Sequence, residues 1–196
     1  MINGIAIAKP QTFPAVLMYT DIRSYVFTFV LVALAVFTPW AFHQFHLAGP
    51  TFLPMHIFVL AAGLLFGWRA GLLVGLFAPL ASYAVSGAPV LAILPQILVE
   101  LAVYGLVSGI LREELNLRVI WALLGAMVAG RLALLLSVLV IHVVVGRVFS
   151  PIGLEANPFL AVWVVMRQGW PGIAIQLASI PALIWLATKT SSGRWL

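Results

Sequence analysis

There is no cysteine in this 196-residue chain, and charge is nearly as scarce: five acidic and ten basic residues, 8% of the total. Without cysteine there is no disulfide framework and no thiolate metal site. With so little charge, a soluble domain of this length could not cover its surface. The chain also lacks the GxxxxGK[ST] phosphate loop, so it does not bind and hydrolyse ATP by that route. It lacks a basic run. The net charge of +5 comes from single Lys and Arg residues spread along the sequence, which argues against nucleic acid as a partner. No small-residue cleavage pattern follows the first apolar run, so a cleaved signal peptide is not expected.

What the chain has instead is apolar length. Hydrophobic residues make up 64%, and long runs recur between residues 25 and 187. A bilayer is the solvent such runs require. They show no alternation of polar and apolar residues, so barrel strands are excluded and helices are the remaining spanning element. The punctuation predicts six spans. They cover about 24–45, 55–66, 70–86, 90–111, 119–145 and 170–188. The breaks are Pro54, the Gly67-Trp68-Arg69-Ala70-Gly71 turn, Gly87-Ala88-Pro89, the charged 112–118 turn, and a less apolar 147–169 segment carrying a short interfacial helix at 159–167. Pro39 should kink the first span or end its regular hydrogen bonding. The expected organisation is a lead-in at 1–23, a membrane domain at 24–188 and a tail at 189–196. Six spans put Lys9, Arg23, Arg69, Arg112, Arg118, Lys189 and Arg194 on one side, against Arg147 and Arg167 on the other. That bias makes both termini cytoplasmic. Small residues spaced by four, Gly63, Gly67, Gly71 and Gly75, then Ala122, Ala126 and Gly130, suit close helix packing in lipid.

Two ionisable residues fall in mid-span, Glu100 and Arg131. Such residues are costly in hydrocarbon, so they face the bundle interior and find partners. Gln96, Glu100 and Tyr104 share one face of their helix, and Arg131 and His142 lie on one stripe of the next. Gln176 is placed within the last span, and His46, His56 and Asn157 near the outer loops. Together these nine residues are the candidate binding set. A structural Glu100–Arg131 pair and a solute site using one or both groups are equally compatible with the spacing. Arg131 suits a carboxylate-bearing solute, and Glu100 is the group that would already neutralise it. The histidines lack acidic or cysteine partners at ligand spacing, so no metal site is expected. Glu113 to Arg118 matches EExxxR and Phe52 to His56 matches FxxxH, a pair of patterns found in some intramembrane proteases. Here the topology sets them a hydrocarbon core of ~30 Å apart. The third element of that family is absent too, because Gly146 follows His142 by four residues.

Several ordered motifs resemble the substrate-binding S components of energy-coupling factor (ECF) transporters. They are Leu53-Pro54-Met55-His56, Ala62-Gly63-Leu64-Leu65, Gly71-Leu72-Leu73-Val74-Gly75-Leu76 with Pro79-Leu80, and Glu100-Leu101-Ala102-Val103-Tyr104-Gly105 with Gly109. Ala129-Gly130-Arg131, Pro171-Gly172-Ile173 and Gln176-Leu177 extend the likeness over nearly the whole chain. The resemblance implies a six-helix membrane protein of the bacterial plasma membrane with no catalytic residues and no cofactor. It captures a vitamin or related micronutrient from outside and works with a transmembrane coupling subunit and two cytoplasmic ATPases. Loops between helices 1–2, 3–4 and 5–6 would cover the ligand. Many members carry AxxxA on the first helix, facing the coupling subunit. In this chain Phe37 follows Ala33, and Ala33, Ala35 and Ala41 are the nearest small residues. Two other classes compete: an intramembrane enzyme centred on Glu100, Arg131 and His142, and a solitary secondary transporter.

Overall fold

The computed structural model describes residues 22–44, 49–150, 153–155 and 157–191. Residues 1–21 of the lead-in, the last residues of the tail and the loop position His46 therefore lie outside the described residues. The architecture is helical. Helices α1 (Ile22–Gln44), α2 (Gly49–Phe52), α3 (Pro54–Ser86), α4 (Leu94–Glu113), α5 (Val119–Val145) and α6 (Pro158–Ser191) are joined by short connections. A two-stranded antiparallel ribbon, β1 (Phe149–Ser150) with β2 (Gly153–Leu154), fills part of the 147–169 segment expected to be a loop. Four of the described helices, α3 to α6, are long and apolar enough to cross a membrane, and α1 adds the shorter apolar stretch Tyr25–Ala41.

The break expected after residue 66 is present, and two boundaries elsewhere differ from expectation, each for a reason involving proline. The spans expected at 55–66 and 70–86 are the two limbs of α3, separated as expected by its one non-helical residue, Gly67 (φ 84°, ψ 174°). That left-handed φ is open to glycine and strained for any residue with a Cβ. The break is a reversal. A Cβ built on Gly71 would strike the Cα of Gly63, whereas eight residues of straight helix would separate the two by about 12 Å. Helix α4 starts at Leu94 instead of 90, because Pro95 has no N–H and sits best in the first turn. The largest correction is α6. The interfacial helix at 159–167 and the span at 170–188 are one 34-residue helix, running through Pro171 and Pro181. Pro158 opens it, and the Asn157 side chain caps it by accepting the Leu160 N–H at 2.8 Å. At about 51 Å, α6 exceeds a hydrocarbon core of ~30 Å, so it tilts or projects beyond it. Pro39 likewise lies inside α1 and does not end it.

Backbone contact between α3 and α4 organises the bundle. A Cβ on Gly71 would enter the Gly105 carbonyl, one on Gly75 the Leu101 carbonyl, and one on Gly109 the backbone of Trp68. The small-residue stripe thus makes close approach possible where lipid offers no hydrophobic drive for helices to associate. Around this seam the main core gathers Val59, Leu60, Val74, Leu101, Tyr104, Leu123 and Ile180. Ala122, Ala126 and Gly130 bring α5 against the same seam, the ring of Tyr104 lying where a Cβ on Gly130 would be. A smaller cluster, Leu134, Val138, Val148, Ala161 and Val162, packs the far end of α5 against the start of α6.

Candidate functional site

Two ends of the bundle can be told apart by their contacts. At one end the Gly67 reversal meets the end of α4, where Glu113 Oε2 accepts the Trp68 N–H at 3.2 Å. At the other end the start of α3, the 87–93 connection, the start of α4, the ribbon and the first turns of α6 converge. Gln96 Nε2 donates to the Phe149 carbonyl there, at 3.1 Å. EExxxR and FxxxH therefore lie at opposite ends of the 54–66 limb, and no protease centre is assembled among the described residues.

A cavity of about 280 Å³ opens at this second end. Its walls are mostly aliphatic and proline side chains, among them Leu53, Met55, Pro89, Ile93, Leu134 and Val165. Its polar lining is His56, Ser82, Gln96, Glu100, Arg131 and Gln168. Glu100 is 3% exposed and accepts a 2.7 Å hydrogen bond from Arg131 Nη1. His56 Nε2 lies 3.9 Å from the same Glu100 oxygen. Tyr104, one turn further along α4, stands edge-on to the His56 ring, centroids 5.3 Å apart. Three helices so converge on one carboxylate. The mouth is shaped by Ser82, whose hydroxyl donates to the Ala88 carbonyl at 2.8 Å.

The backbone at Leu53 supports this arrangement. Leu53 adopts φ 48°, ψ 46° at the start of α3, a conformation costing a residue with a Cβ about 1–2 kcal/mol. It turns its carbonyl toward the His56 N–H at 3.1 Å and Gln176 Nε2 at 3.4 Å. Gln176 is thus a brace between α6 and the start of α3.

Of the nine candidates, the structure brings His56, Gln96, Glu100 and Arg131 to the cavity wall, with Tyr104 directly behind them. Gln176 is buried and engaged with Leu53, Asn157 caps α6, and His142 sits in the last turn of α5 outside the cavity lining. The polar centre imagined for an enzyme, with His142 beside Glu100 and Arg131, is not formed. Ser82 and Gln168 are the polar lining residues outside the expected set; Gln168 was passed over because 147–169 was expected to be loop and interfacial helix. On a continuous α6, Gln168 and Gln176 are eight residues apart on one face, and that spacing was the available signal. On α1, Ala33 is exposed and Ala41 half-buried, whereas Ala35 is fully buried in the core. Among the described residues no group of His, Asp and Glu is placed to hold a metal ion.

The fold and cavity define a class: a polytopic helical membrane protein with a small, largely apolar chamber lined in part by a buried ion pair. Residues 23–184 match the family model described as the ECF transporter, substrate-specific component, and the chain belongs to that family. It is accordingly a substrate-binding subunit of a transporter and not an enzyme. Comparison with curated proteins and with solved structures returned no match.

Proposed function

We propose that this subunit captures a vitamin or related micronutrient from the outer side of the bacterial plasma membrane. It delivers the solute inward together with a transmembrane coupling subunit and two cytoplasmic ATPases. In this reading the chain makes six spans, the two limbs of α3 each crossing once, with both termini cytoplasmic and the cavity facing out. The basic-residue bias supports the orientation. The observation that carries the proposal is the cavity itself, a chamber of about 280 Å³ whose apolar walls end on a buried His56–Glu100–Arg131 cluster. A concave, mostly apolar site with a few convergent polar groups is how proteins hold small molecules. His56, Gln96, Glu100 and Arg131 would contact the solute, with Tyr104 and Gln176 holding them in place. His46 and Asn157 would belong to the covering loops, and His142 would act from outside the chamber. Ala33 and Ala41 would form the coupling face. Ala35, facing inward, would support it.

Mass spectrometry of small molecules retained by the purified protein tests the capture. Affinity purification with its neighbours tests the assembly. A retained micronutrient and a co-purifying coupling subunit are the expected results. An empty protein that associates with neither coupling subunit nor ATPases would refute the proposal.

A further inference from the structure

Arg131 invites the reading that the solute is a carboxylate, but the hydrogen-bond inventory of the chamber argues otherwise. Glu100 already occupies one end of the guanidinium through Nη1, so the ion pair is neutral as a unit. Arg131 Nε and Nη2, both nitrogens of His56, and Gln168 Oε1 are buried without a hydrogen-bond partner among the described residues. These atoms are closed off from the chamber by their neighbours, so what the chamber chiefly meets is a paired, neutral ion couple among aliphatic walls.

We infer, on the reading of this chain as a substrate-capture subunit, that its solute is uncharged. Its body is apolar, matching the aliphatic walls around the pair. The charge balance decides this. A ligand carboxylate drawn to Arg131 would sit beside Glu100 as a second buried anion. Glu100 then takes back much of the attraction that Arg131 offers, and the desolvation of the added charge is left uncovered. An uncharged solute enters without that cost. The remaining walls, Leu53, Met55, Ile93 and Val165 among them, are aliphatic and suit the apolar remainder.

The test uses the full chain in lipid nanodiscs and a small-molecule extract of bacterial cells. Ion-exchange resins at neutral pH split the extract into anionic, cationic and uncharged fractions. Thermal melting is recorded with each fraction. The expected result is a rise in Tm with the uncharged fraction and none with the anionic one. A rise with the anionic or the cationic fraction, and none with the uncharged one, would overturn the inference while leaving substrate capture intact. No rise with any fraction would overturn the capture reading itself and the inference with it. Glu100→Gln supplies a second arm. It frees the charge of Arg131, so this variant should gain a response to the anionic fraction that the parent lacks. A folded Glu100→Gln protein that still responds to the uncharged fraction alone would remove the pair's neutrality as the cause.

Discussion

Breaking the Glu100–Arg131 pair from either side should destabilise the protein far more than removing both charges together. The contact is 2.7 Å, and Glu100 and Arg131 side chains are 3% and 11% exposed. At an effective dielectric of about 20 the attraction is roughly 6 kcal/mol, most of it offset by the desolvation of two ions. The intact pair is therefore worth little net, but a stranded partner costs about 3–5 kcal/mol. For a chain of this length that corresponds to a Tm lower by roughly 6–20 °C. The two single variants should differ. Glu100→Gln strands a guanidinium that cannot shed its proton, and belongs at the upper end. Arg131→Gln strands a carboxylate that can take one up, with Tyr104 still beside it, and belongs at the lower end. The double variant leaves two amides able to hydrogen-bond each other and should cost under about 2 kcal/mol, since replacing both members of a buried pair is often near neutral. Melting followed by tryptophan fluorescence reads all four proteins. Additive losses, or single losses under about 1 kcal/mol, would show that the pair is solvated and would refute the reasoning.

The α3–α4 seam predicts a graded glycine series in the same melting assay. Gly71→Ala, whose Cβ meets the Gly105 backbone, should cost more than about 2 kcal/mol, whereas Gly125→Ala meets only the tip of Leu111 and should be tolerated. On α1, Ala33→Trp should weaken co-purification with the coupling subunit and leave solute retention intact, because Ala33 is exposed. Ala35→Trp, at a position with no exposure, should disturb the fold and lose both. Removing the Trp68 cap with Glu113→Ala should cost about 1 kcal/mol and speed amide hydrogen exchange around the Gly67 reversal without changing solute retention. Single cysteines at Gly87 and Ser191 should be labelled from opposite sides of the membrane, and labelling of both from outside would refute the six-span topology.

The sequence by itself determined the class of the protein. A hydrocarbon solvent constrains nearly every residue of a span, so the 64% apolar composition and the unalternating runs dictate helices before any contact is known. The bounds of α5 were legible because nothing in 119–145 competes with helix, and the Gly67 break was legible because glycine marks it. Glu100 and Arg131 stood out as groups that hydrocarbon does not tolerate alone. Proline was the misleading signal. In water, Pro171 argues for a helix start, but in lipid a helix has no better alternative than to continue while its neighbours accommodate the freed carbonyl, so α6 runs from Pro158 to Ser191. That continuity brought Gln168 to the chamber. Tertiary structure alone decided which polar residues meet. Spacing along a helix gives the face a residue shares with its own helix, not the partner it finds across the bundle. The glycine seam sets how deep α4 lies against α3, and that depth places Glu100 against both Arg131 and His56 and leaves His142 outside.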